Sequence, residues 1–160
     1  MDANINTIIV KLPYLNDNAS GISAGSICNE SMRIYEIEKR ITKVPGILRA
    51  TIEVLVNRDN DPESMEFGPW NLAGMYELRP GLINIIGGVA AIYVEHDETY
   101  LSNSTEAERL AHVNAQSGGM QFSQENLICG IKSQITALAK QFAGVQKVRL
   151  YINDEFISEE

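Results

Sequence analysis

The sequence predicts an α+β fold: a mixed β-sheet with two main helices packed on one face, in the order β-β-α-β-β-(α)-α-β. Three observations carry this reading. A long amphipathic stretch, Gly118–Phe142, runs straight into a strand of alternating apolar and polar residues that ends at Ile152. The pair Gly87-Gly88 separates two apolar, β-rich runs, the pattern of a tight hairpin. Pro45, well placed at a helix start, opens a shorter apolar stripe. A helix with one apolar face needs a sheet to lie on, and the hairpin and the final strand supply it.

Taken in order, Thr7–Leu12 reads as a first strand closed by Pro13, which cannot donate to a ladder. The stretch 16–29 is rich in Asn, Asp, Ser and Gly and reads as a loop. Met32–Thr42, with Ile34, Tyr35, Ile37 and Ile41, reads as a second strand whose imperfect alternation suggests an edge or a bulge. Leu48, Ile52, Leu55 and Val56 fall on one face of a short helix ending near Asn57. The irregular stretch 58–81 contains three prolines and three glycines, and packing of Phe67, Trp70, Leu72 and Met75 is expected to order part of it.

Leu82–Ile86 and Val89–Glu95 are the hairpin strands, and Thr105–Asn114 forms a short helix through Leu110 and Val113. The long helix takes Ser123 as its N-cap, with Glu125 in the first turn. Ile128, Ile131, Ile135, Leu138 and Phe142 form its apolar stripe. Burying those five side chains contributes on the order of 7–15 kcal/mol before ordering entropy is subtracted. Gly144 is the expected stop, after which Val148, Leu150 and Ile152 point to one side of a strand.

The 160 residues suffice for one domain with its core over about 7–154. A formal net charge of −8 repels polyanions, so nucleic acid and anionic lipid are not expected partners. No apolar run is long enough to span a membrane, and no direct membrane insertion is expected. The N-terminal MDANINTIIVKLPYL lacks the marks of a secretory leader. The expected location is therefore extracytoplasmic if a leader was removed, and cytoplasmic otherwise. Cys28 and Cys129 permit at most one internal bridge and lack C-x-x-C spacing, so two free thiols are the default expectation.

Few residue patterns in the sequence point to chemistry. Glu95-His96-Asp97-Glu98, with His112 further on, offers ligand and acid–base groups. Adjacent strand residues point to opposite faces, however, and no H-x-x-x-H pattern brings in a second histidine, so a solvated strand end is the preferred reading. No G-x-S-x-G elbow is present, and neither cysteine neighbours a histidine. Ser117-Gly118-Gly119 lacks the Lys of a phosphate loop and reads as a plain turn. Three Asn-x-Ser/Thr triplets, at Asn18, Asn29 and Asn103, read as loop residues. No catalytic residue, cofactor or metal site is assigned. On the long helix, Gly130, Ser133 and Ala137 lie about opposite the Ile128/Ile131/Ile135 stripe. They form either a neutral solvated face, the default reading, or a small-residue face on which a partner or second subunit could pack closely.

With these elements placed, the chain resembles a GerMN domain, the module named from sporulation and spore-germination proteins. Pro45-Gly46-Ile47-Leu48-Arg49-Ala50-Thr51-Ile52-Glu53-Val54-Leu55 resembles the family's first helix. Gly88-Val89-Ala90-Ala91-Ile92-Tyr93-Val94 resembles its G-V-A-x-V-D strand. Phe142-Ala143-Gly144-Val145-Gln146-Lys147-Val148-Arg149-Leu150-Tyr151-Ile152 is similar to its closing helix-to-strand pattern. Relatives usually end that last strand with Asp-Gly or Asn-Gly, whereas Asn153-Asp154-Glu155 stands here, and they usually follow a leader.

The resemblance implies a small α+β domain similar to the ring-building domains of secretion and sporulation complexes. It implies an extracytoplasmic, non-enzymatic interaction or assembly module of the bacterial envelope, for which the expected partner is another protein or a second copy of itself. It carries over no catalytic residues. The alternatives are a small-molecule or divalent-metal binding domain using the Trp70 loop and Glu95–Glu98, and a hydrolase assembled from distant residues.

Overall fold

The computed structural model describes residues 6–17, 32–63, 69–97, 99, 104–116 and 121–160. Most of the loop expected over 16–29, together with Cys28, Phe67, Glu98, the 117–119 turn, Asn18, Asn29 and Asn103, lies outside these residues. Among the described residues the fold is α+β, with strands β1 (Thr7–Asp17), β2 (Met32–Thr42), β3 (Leu78–Ile86), β4 (Val89–His96), β5 (Lys147–Ile152) and β6 (Glu155–Glu159). The helices are α1 (Ile47–Val56), the single-turn α2 (Leu72–Met75), α3 (Glu106–Gln116) and α4 (Gln124–Lys140). A 3-10 turn, Arg58–Asn60, follows α1.

The strands divide into two sheets. β3-β4-β5-β6 form a mixed sheet in which only β4 and β5 run parallel. β1 and β2 pair antiparallel as a separate ribbon, not as further strands of that sheet. The ribbon lies against the helices: α4 packs on β5 and on β1, and α1 packs on β3 and on β1. The apolar residues of β1 serve that second layer, with Val10, Leu12, Tyr14 and Leu15 all buried. Pro13 does not end β1, which continues to Asp17. Leu15 and Trp70 then exchange backbone hydrogen bonds at 2.9 and 2.7 Å, tying the ribbon to the segment before α2.

The core is contributed by one face of each element. Ala90, Ile92 and Val94 of β4 and Val148, Leu150 and Ile152 of β5 are buried under the helices, following the period of two. Leu48, Ile52 and Leu55 of α1 meet Ile131, Ile135 and Leu138 of α4 in one buried cluster, while Ile128 and Phe142 are half-buried at its margin. Ser123 Oγ accepts a hydrogen bond from Asn126 N at 3.1 Å, the expected N-cap of α4. The helix ends at Lys140 with Gln141 as its C-cap, ahead of Gly144.

Both sheet hairpins turn on residues with positive φ. Gly87 and Gly88, at 59° and 81°, join β3 to β4, and Asn153 and Asp154, at 49° and 67°, join β5 to β6. Two positive φ values in a two-residue loop match the right-handed twist of the flanking strands. Asn and Asp tolerate this conformation through local side-chain hydrogen bonding, so the second hairpin forms without glycine.

Candidate functional site

A cleft of about 690 Å³ opens where the end of α1, the α2–β3 junction and α3 meet. Its polar lining is built from pairs. Arg58 Nε donates to Asp61 Oδ2 at 2.9 Å, and its Nη1 donates to Gln116 Oε1. His112 Nε2 lies 2.9 Å from Glu77 Oε2, and Arg79 Nη2 lies 2.5 Å from Asp97 Oδ2. The Thr99 backbone and side chain hydrogen-bond Asp97 and, with Arg79, hold its carboxyl below the usual carboxylate range. Glu77 sits at φ 54°, a left-handed conformation unusual for a residue with a side chain, and this directs the chain from α2 into β3. In each of these pairs a basic group lies beside a carboxylate, so these side chains do not present a field of one sign.

The described residues of the Glu95–Glu98 cluster do not converge: Glu95 and Asp97 are open to solvent, as expected of a strand end, and His96 alone turns inward. Glu95 is exposed, and its carboxylate lies beside Gly81. Asp97 turns to Arg79. His96 packs edge-on against Tyr76, with ring centroids 4.4 Å apart. Its backbone N donates to Asn153 Oδ1 at 2.9 Å, and Asn153 Nδ2 lies 2.9 Å from its Nδ1. Burial pushes the His96 pKa down to about 4, against smaller opposing contributions from hydrogen bonds with Tyr76 and Asn153. His112 is paired to Glu77 instead. Among the described residues no group of three or more His, Cys, Asp or Glu is arranged to hold a metal ion.

The small-residue face of α4 is occupied by the chain itself. A Cβ on Gly130 would come within 2.5 Å of Leu72 Cδ1 and 2.7 Å of Leu15 Cδ1. Ser133 is buried and donates to Cys129 O at 3.0 Å, and Ala137 is half-buried. Gly130 therefore serves close packing of α4 against α2 and β1, and the face predicted for a partner is internal. Beside it, the fully buried Gln134 accepts from Ala73 N at 2.9 Å and donates to Pro13 O at 2.9 Å and Asn71 Oδ1 at 3.2 Å. Asn71 in turn donates to Leu55 O and Asp61 Oδ1. This polar stitch joins α4, β1, α1 and α2. Trp70 belongs to the same interior, buried edge-on against Phe122 at 5.6 Å.

Cys129 is disulfide-bonded, so the expectation of two free thiols does not hold for it. The only other cysteine in the sequence is Cys28.

The surface that the sequence did not single out is the helix-free side of the mixed sheet and its β3 edge. Tyr93 and Tyr151 stack at 4.2 Å with planes 6° apart, and Phe156 meets Tyr151 edge-on at 5.6 Å. Leu82, Ile85 and Ile86 of β3 are 59%, 47% and 77% exposed. The signal for them was present as an apolar alternation on both faces of β3, where a half-buried strand would carry polar residues on one. No helix of the described residues is long and apolar enough to cross a membrane.

No family model and no curated protein matches the sequence. Among solved structures, the chain is similar to the tandem GerMN domains of the sporulation protein GerM from Bacillus subtilis. That match has a TM-score of 0.53 and 14% identity, over 96% of this chain and 43% of that one. The first GerMN domain of the same protein gives a TM-score of 0.47 and 15% identity, over 94% and 86% of the two chains. This chain thus spans less than half the length of the tandem structure. At these identities the likeness is one of fold, and the chain has a GerMN-like fold.

Proposed function

We propose that this chain is a non-enzymatic interaction and assembly module of the bacterial cell envelope, acting in a sporulation-related process. The observation that carries the reading is the GerMN-like fold over 96% of the chain, shared with a sporulation protein. Two features of the chain support it. The cleft's basic and acidic side chains pair with one another, whereas the two most exposed large apolar side chains described, Ile86 and Leu82, lie on a sheet edge, where proteins dock. The disulfide at Cys129 fits an oxidising compartment outside the cytoplasm.

Fractionation of the source bacterium, with thiols trapped by alkylation at lysis, tests the reading. The protein is expected in the envelope fraction with Cys129 oxidised. Recovery from the cytoplasm with Cys129 alkylated would count against it.

A further inference from the structure

We propose that the β3 edge is a self-association surface, on which a second copy of this chain adds its own β3 antiparallel to form one continuous sheet. The inference rests on the reading as an interaction module and names the surface and the partner. Among the described residues β3 is a terminal strand of its sheet. Ile86 pairs with Val89 across a two-residue turn, and Asn84 pairs with Ala91. Residues flanking such a turn exchange hydrogen bonds with each other, and the ladder alternates. The N–H and C=O groups of Ile83 and Ile85 therefore point away from β4, to the open edge.

The chain closes one half of this edge and leaves the other open. Pro80 offers no N–H, and Arg49 of α1 donates to the carbonyl oxygens of Pro80 and Gly81. Beyond this guard come Leu82, Ile83, Asn84, Ile85 and Ile86, with no charged residue anywhere between Arg79 and Glu95. The opposite edge is protected differently. β6 carries Glu155 and Glu159, is followed by Glu160, and has an irregular register against β5. For a chain with net charge −8, two copies meet without acidic repulsion where charge is missing, which is the β3 edge and not the β6 edge.

The sequence of the open edge is self-complementary. A two-fold axis at Asn84 sets Ile83 against the partner copy's residue 85 and Ile85 against its residue 83. These are the residues whose backbone groups face outward, so each pair closes two hydrogen bonds. Leu82 then meets residue 86 of the other copy on the helix-free face, and Ile83 meets residue 85 on the helix face. Asn84 faces its own counterpart in a non-hydrogen-bonded pair, where the Cα atoms approach to about 4.5 Å, within the range a disulfide spans.

The test uses the full chain. Sedimentation equilibrium is expected to show a reversible monomer–dimer exchange, and Ile86→Lys to weaken it at least tenfold with unchanged circular dichroism. Under mild oxidation Asn84→Cys is expected to crosslink to itself, with peptide mapping locating the bond at position 84, while a control Lys140→Cys does not crosslink. A strictly monomeric chain with no crosslink at position 84 overturns the proposal. So does a dimer that survives Ile86→Lys, or an edge occupied only by an extended segment of a different protein. In those last two outcomes the interaction-module reading stands, so the two failures are distinguishable.

Discussion

Asn153 grips His96 at two points, accepting from its backbone N and reaching its Nδ1, each at 2.9 Å. The turn residue between β5 and β6 thereby fixes the end of β4, and Asn153 N donates in addition to Val94 O at 3.0 Å. The arrangement suits a neutral imidazole accepting at Nδ1. Burial lowers the His96 pKa from the ordinary 6.5 to about 4. Between these values the unfolded chain binds a proton that the folded chain does not, so stability falls as pH drops from about 6.5 towards about 4. Above this window His96 contributes no slope. Denaturant titrations of wild type and His96→Gln across pH 4–8 are expected to differ by a pH-dependent amount of about 1 kcal/mol, discounted because the ring is partly exposed. A difference that is flat with pH would contradict the assignment.

Gly130 is a packing residue. Gly130→Ala gains about 1 kcal/mol of helix propensity but must displace Leu72 and Leu15 at a cost of about 1–3 kcal/mol, for a net loss of up to about 2 kcal/mol. Gly130→Leu is expected to lose about 3 kcal/mol or more, seen as a lowered urea midpoint. Wild-type stability in Gly130→Leu would return this face to the surface.

Gln134 satisfies Ala73 N and Pro13 O in the interior. Gln134→Leu keeps most of the volume and strands both groups, at about 1–3 kcal/mol each. Thermal unfolding is the check, and a variant as stable as wild type would show that the stitch is dispensable.

Asp154 holds φ 67° at the second position of its hairpin turn, where glycine is the favoured residue. Asp154→Gly is expected to stabilise the fold by about 0.5–1 kcal/mol, or a few degrees in Tm. Asn153 must be retained for its hold on His96. A lower Tm in Asp154→Gly would mean that the carboxylate has a role of its own.

Much of the fold was legible because local signals agreed with tertiary use. Met32–Thr42, the Ser123 cap, the Gly87-Gly88 hairpin and the Val148/Leu150/Ile152 alternation each appear where the sequence places them. The separate β1–β2 ribbon was not legible, since pairing partners are set by which helix face remains to be covered. β6 was missed because Asn153-Asp154 is a weaker turn signal than the glycine it replaces. The α4 surface was misread for a related reason: a helix covered on two sides buries small residues opposite its apolar stripe, and one sequence does not reveal the second cover. The open β3 edge appears only once strand order is known.

Site-specific photo-crosslinking in living cells that produce the protein tests the central claim most directly. A photoreactive residue placed at Ile86 is compared with one on the exposed Lys140. An envelope module that docks through its β3 edge is expected to give discrete protein adducts from position 86, a second copy of this chain among them, and none from position 140. Equal labelling from both positions, or no protein adduct from position 86, would contradict the account.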